Sequence, residues 1–342
     1  MAPSLRVTVV PLVGPFHTRF PLYTVVHVRS ILERLQPEAV ALASLPPGAL
    51  GAPGWQATPE IALPHTVVPW ARRRGVPLVE VASVAGGPGE PGNAEDAERF
   101  ERFLSEFEAG RAHLRQVQAA LRPVQELLGR ALDLGRIRSE LLPAIAAYEA
   151  ARVEEYGEGP GTGWAAERAA RVAERVRALP YRHVALLAGV DDLPALTAAL
   201  AGTVELADAP DPAPDPDEAR TRALLDVAMR GEVEDPAPLL AQLRELDLPE
   251  ARYHQANLLL AHAHVAEALE LLQGVAAGDF QEPYYLPGFV LARLGQLCDL
   301  AGDRAAALRA YRGALALDYA PPEAEAAARA GLAAPFEWPT RP

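Results

Sequence analysis

Two loops carry the side chains best suited to chemistry. In the first, Gly14-Pro15-Phe16-His17 is followed by Thr18 and Arg19; in the second, Gly189 and Val190 precede Asp191 and Asp192. Histidine changes charge near neutrality and is the commonest metal ligand, so His17 is the first candidate for a catalytic or binding role. Asp191 is its candidate partner, with Gly14, Thr18, Arg19, Gly189 and Asp192 as binding positions around the pair. Each has a plainer explanation. Asp191 or Asp192 suits the N-cap of the following helix, a role worth about 1 kcal/mol. His17 could equally be a structural residue hydrogen-bonded to a neighbouring loop.

The flanking segments must position these loops. Leu5 to Val13 is a β-branched apolar run that stops at Gly14-Pro15, Tyr23 to Leu35 carries apolar residues at helical spacing, and Ala39 to Leu45 is a second apolar run. Such a pattern predicts a strand, a crossover helix and a second strand parallel to and paired with the first. Ile61 to Arg74 and Gly75 to Val84 predict a further helix and strand. Tyr181 to Leu206 repeats the opening plan, with a strand at His183 to Leu187, a glycine-bearing loop, a helix from about Leu193 and a short last strand. The fold class expected is therefore α/β with a mainly parallel sheet. Ligands of open α/β sheets bind at the carboxyl ends of the strands, which places both loops on one rim.

From Ala94 to about Leu179, Ala, Leu, Glu and Arg dominate at helical spacing. The expectation is a large helical insertion of three helices, with breaks near Pro123, at Gly135 and across 157–163. It should pack on a sheet face rather than act as a lid. Residues 208–217, DAPDPAPDPD, alternate Pro with Asp, which predicts an extended, self-repelling linker. That boundary gives an α/β domain at 1–207 and an all-α helical-repeat domain at 218–335. Within the latter, Ala256, Ala268, Leu272 and Val275 are matched at identical offsets by Gly295, Ala307, Tyr311 and Ala314. Small residues let paired helices approach closely, and the large residue four later fills the groove.

Composition narrows the function classes. Half of the 342 residues are hydrophobic, so the chain is globular and long enough for two cores. No apolar run approaches the roughly 18 residues of a membrane span, and Arg6 and Pro11 interrupt any secretory leader. Cys298 is the lone cysteine, so an intrachain disulfide is excluded, and a cytoplasmic location is expected. The chain has no lysine and is rich in Ala and Pro, a bias typical of a GC-rich bacterial genome. Of the net charge of −13, the residues from Leu206 onward, with 22 acidic side chains and 11 Arg, account for −11. No basic stripe is present, which argues against nucleic acid as a partner. His262 and His264, two apart on a helix, cannot readily share a metal, and Arg72, Arg73 and Arg74 fit a solvated helix end.

The segments Gly14 to His17 with QPEAVALAS, PWARRRGVPLVEV and LLAGVDDLPAL resemble, in order and spacing, the TraB/PrgY and Tiki proteins over roughly residues 5–205. The resemblance implies a polar site, with metalloprotease activity in Tiki-type members. His17 matches the family's first histidine. Its glutamate after the second strand falls at Ser44, its acidic residue after the third strand near Ala82, and its second histidine near Asp191 or Asp192. A catalytic divalent metal typically takes about three protein ligands, so a divalent metal remains open as a cofactor and none is firmly expected. The repeat offsets resemble the tetratricopeptide repeat, with copies 39 residues apart rather than about 34.

The leading functional expectation is a non-enzymatic scaffold or adaptor. A degenerate Tiki/TraB-like domain would be joined to a repeat module that binds a protein or peptide, basic in character because the array is acidic. A metal-dependent hydrolase with a ligand set of His17, Asp191 or Asp192, and Glu80 or His65, is the alternative. Small-ligand sensing at the sheet edge is the third.

Overall fold

A computed structural model describes residues 5–83, 94–157, 159, 162–231 and 235–338. The chain divides into two compact units, Met1–Gly51 with Thr58–Ala219, and Ala52–Ala57 with Arg220–Pro342. Among the described residues no helix is long and apolar enough to cross a membrane.

The first unit begins with β1 (Arg6–Leu12), α1 (Val25–Leu35), β2 (Ala39–Leu42), α2 (Val68–Arg74) and β3 (Leu78–Glu80). An insertion follows, consisting of α3 (Ala94–Ser105), α4 (Glu108–Leu128), α5 (Leu134–Arg136), α6 (Leu142–Tyr156) and α7 (Gly163–Arg177). Then come β4 (His183–Gly189), α8 (Leu193–Leu200) and β5 (Glu205–Asp208). All strand pairs are parallel, in the order β3-β2-β4-β1-β5. The expected pairing of β1 with β2 is corrected: β4 lies between them. The reason is hydrophobic. Val184 to Ala188 are all buried, and an all-apolar strand is stable only with a partner on each side and both faces covered.

The insertion contributes to the core of the sheet. Ala169, Val172, Ala173 and Val176 of α7 pack with Val7, Ala41, Val184 and Leu186 on one sheet face. Burial of such side chains supplies about 1.5 to 3 kcal/mol for each Val or Leu. Arg175 of α7 also donates to the carbonyls of Val81 and Ala82, which holds the end of β3 against the insertion. Pro123 does not break the insertion. α4 runs through it, because Pro123 faces solvent and the carbonyl left unpaired, at exposed Ala119, can bond to water. The break falls instead after Leu128, where Asp133 caps the next helix through its bond from the Arg136 N–H.

The Pro/Asp segment is tied to the first unit. Ala209 is buried, its carbonyl accepts from Arg138, and the Ala213 N–H donates to Ser30 Oγ at 3.1 Å. The division between units falls inside α9 (Pro216–Arg230).

Beyond α9 the described elements are all helices: α10 (Pro236–Arg244), α11 (Pro249–Ala261), α12 (Val265–Ala276), α13 (Leu286–Leu300), α14 (Arg304–Leu315) and α15 (Pro322–Ala333). Ala256, Ala268 and Leu272 are wholly buried, as are Ala307, Tyr311 and Ala314. A Cβ on Gly295 would come within 2.3 Å of the Tyr311 ring, so glycine is what lets α13 and α14 close on that ring. A second core device is ionic. Arg222 forks onto Glu250 at 2.8 and 3.0 Å and bonds Asp226 at 2.9 Å, and the Tyr285 hydroxyl donates to Glu250.

Candidate functional site

The register of the sheet decides where the two loops go. β1 and β4 pair from Arg6 with His183 to Leu12 with Gly189, so both chains leave the sheet side by side at one rim. There a cavity of about 450 Å³ opens, lined by Leu12 to Phe16 after β1, Ala43 and Ser44 after β2, Ala82 and Ser83 after β3, and Gly189 to Asp192 after β4. Leu128, Trp164 and Arg168 of the insertion, with Pro59 and Glu60, complete the wall. Carboxyl ends of four parallel strands thus meet in one concavity, the position that open α/β sheets use for ligands.

Gly14, Gly189, Asp191 and Asp192 line this cavity; His17, Thr18 and Arg19 do not. His17 is fully buried within the loop. Its Nε2 accepts from the Val13 N–H at 3.2 Å and its Nδ1 donates to the Tyr23 carbonyl at 2.8 Å. The tautomer follows from the partners, since an N–H can only donate and a carbonyl only accept. Both nitrogens are therefore committed to holding the β1–α1 loop, and neither is left for a metal or a substrate. Burial lowers the pKa of His17 to about 4, and the Tyr23 bond offsets this in part. Thr18 Oγ1 donates to the Pro15 carbonyl, and Arg19 is exposed.

The divalent metal fits poorly. Of the proposed ligands only Asp191 and Asp192 line the cavity: both nitrogens of His17 are committed, the Glu80 carboxylate accepts from the Gly48 and Leu50 N–H groups, and His65 is not on the cavity wall. Among the described residues no group of three or more His, Cys, Asp and Glu is placed to hold a metal ion.

Glu60 is the residue that sequence reasoning missed. It is 8% exposed, and its Oε2 accepts from the Gly14 N–H at 3.1 Å, which joins the 58–63 segment to the β1 loop. Gly14 sits at φ +55°, where glycine carries no Cβ penalty. Opposite, a Cβ on Gly189 would come within 2.6 Å of Glu60 Oε1, so the absence of a side chain at Gly189 makes room for this carboxyl. Burial raises the pKa of Glu60 from 4.5 to about 7; the Gly14 bond opposes the shift, and the charges of Asp191 and Asp192 add to it.

The aspartates do not use their side chains as caps. Asp192 stands at the N-cap position of α8 without a side-chain cap bond, and pairs instead with Arg168. The Arg168 guanidinium lies 4.6 Å from the centroid of the Trp164 ring. Asp191 takes no hydrogen bond or ion pair among the described residues, and its pKa is raised by burial first and by Asp192 second. Ser44 Oγ and Trp164 Nε1, both sealed from solvent, also have no partner among the described residues.

Comparison with known proteins adds no relative: no family model, no curated protein and no solved structure gives a significant match. The site therefore has to be read from its own chemistry. It offers two carboxyls outside any ion pair, one paired carboxylate and one guanidinium stacked on an indole. A recurrent local signal could have pointed to part of it. Trp164 and Arg168, spaced i and i+4 on a helix, must share a face.

Proposed function

We propose that the protein is a non-enzymatic binding and adaptor protein, in which the rim cavity of the α/β unit holds a small polar ligand and the helical unit engages a protein or peptide. The observation that carries the first half is the preformed concavity itself, where Glu60, Asp191, Asp192, Arg168, Ser44 and Trp164 gather at the carboxyl ends of four parallel strands. The second half rests on the small-and-large helix packing around Gly295 and Tyr311, which supports a tetratricopeptide-like array. The acidic charge of that region favours a basic partner.

Ligand-observed NMR with a fragment library tests the cavity. Fragments that bind the wild-type protein and are lost in Ser44→Phe, which fills the concavity, are the expected result. A library that yields no Ser44→Phe-sensitive binder removes the ligand-binding reading.

One observation favours a second reading, acid–base catalysis by Glu60. A carboxyl titrating at about 7 is matched to proton transfer at neutral pH. Hydrolysis of an ester or peptide panel that vanishes in Glu60→Gln would establish it in place of the first.

A further inference from the structure

A second concavity lies in the helical unit, where α11 packs against both α10 and α12. It measures about 440 Å³, and its floor is Leu259 and Leu271 together with one amide, Gln255. Gln255 is only 6% exposed, and its Nε2 donates to the carbonyl of buried Leu243 at 2.8 Å. That bond fixes the amide, because only its nitrogen end can donate, and leaves Oε1 as a directed acceptor. Among the described residues Oε1 takes no hydrogen bond, yet it is not sealed from solvent. Since Gln255 lines the cavity, the little of it that stays exposed faces there. A sheltered acceptor in this position calls for a donor from a ligand.

The walls decide what else that ligand carries. On the α12 side stand Glu267 and Glu270, which share a helix face. Glu267 has His264 at 3.5 Å, and Glu270 takes no ion pair among the described residues. On the other side stand Arg244, likewise without an ion pair there, and Arg252, which bonds exposed Asp247 at 2.7 Å. Opposite charges thus line one apolar-floored cleft without pairing with each other. Deepening the reading of the helical unit as peptide-binding, on which this rests, we infer that the cleft binds a short zwitterionic peptide of about dipeptide size. Its ammonium group meets Gln255 Oε1 and Glu270, its carboxylate meets Arg244 and Arg252, and its apolar body covers Leu259 and Leu271. A single amino acid is too short, because its two charges share one carbon whereas packed helices stand about 8 to 10 Å apart.

The test titrates leucyl-leucine, its N-acetyl form and its C-terminal amide calorimetrically into the full-length protein at physiological salt, with hexa-arginine as a further probe. The expected result is binding of leucyl-leucine, weakened about tenfold by acetylation, which takes a charged donor from a sheltered acceptor. Amidation should weaken it only about threefold, because the guanidinium groups that face the carboxylate are exposed. Glu270→Gln should shrink the first factor and Arg244→Gln the second. Gly274 lines the cleft, and a Cβ there would meet nothing within 4 Å. Gly274→Trp should therefore fill the cleft and abolish binding, while Gly274→Ala binds as wild type, both with an unchanged circular dichroism spectrum. Equal binding of the three leucine compounds, or leucyl-leucine binding that survives Gly274→Trp, overturns the zwitterion site. Failure of all three while hexa-arginine binds overturns the site alone, whereas failure of all the probes overturns the peptide-binding reading of the helical unit as well.

Discussion

His17→Leu is expected to lower the stability of the α/β unit by about 2 to 6 kcal/mol, because it strands two buried backbone groups at roughly 1 to 3 kcal/mol each. The Val13 N–H loses its acceptor and the Tyr23 carbonyl loses its donor, and neither can reach water. The same variant should lose acid sensitivity. With a folded pKa of about 4 against 6.5 in the unfolded chain, His17 is neutral when folded and takes up a proton on unfolding between those values. Its contribution is therefore fully present above pH 6.5 and is lost as pH falls through 4, by on the order of 3 kcal/mol. Glu60 works in the opposite sense. Its folded pKa is raised, so it favours folding at low pH and loses that contribution as pH rises toward 7. Urea denaturation of wild type and His17→Leu at pH 7.5 and 4.5 separates the two, with the stability gap between proteins narrowing at the lower pH. A variant as stable as wild type would return His17 to the list of functional residues.

Arg222→Met is expected to cost the helical unit about 3 to 5 kcal/mol, the usual penalty for leaving a buried charge uncompensated. Arg222, Asp226 and Glu250 are each 5 to 6% exposed, so Glu250 and Asp226 would face each other without the guanidinium that bonds both. Replacing all three with apolar residues should recover most of the loss, because the burden is the unpaired charge and not the missing bridge. Thermal or urea unfolding of the single and triple variants reads this directly. A single variant that unfolds like wild type would mean that water reaches the network.

The general plan of the α/β unit was legible because its elements obey local rules. The β-branched run at Val7 to Val10, the helical spacing of Val25, Val28, Ile31 and Leu32, and the second strand and loop at His183 to Asp192 each declare their element within about ten residues. The position of both glycine-bearing loops at one rim followed from the parallel order of those strands. The position of β4 between β1 and β2 did not: its all-apolar run calls for a partner on each side, but which strands flank it depends on how an insertion of many residues returns, which no local pattern encodes. Glu60 was hidden for the same reason. It stands at the end of a Pro- and Gly-rich loop, and its role depends on the Gly14 N–H, 46 residues away in sequence. His17 was visible as a residue type but not as a role; the aromatic neighbours Phe16, Phe20 and Tyr23, of which the last two are buried, were the available hint that the loop folds inward. In the helical unit the close approaches at Gly295 were legible from offsets alone, whereas the Arg222 network joins α9, α11 and α13 across long separations.

The most direct measurement is a carbon-13 NMR titration of the Glu60 side-chain carboxyl in the wild-type protein and in Asp191→Asn. If buried Glu60 lies beside Asp191 in one concavity at the sheet rim, the wild-type midpoint lies near 7 and moves down when the Asp191 charge is removed. A midpoint at the ordinary carboxylate value of 4.5, unchanged by Asp191→Asn, would show two separate solvated side chains and contradict the site.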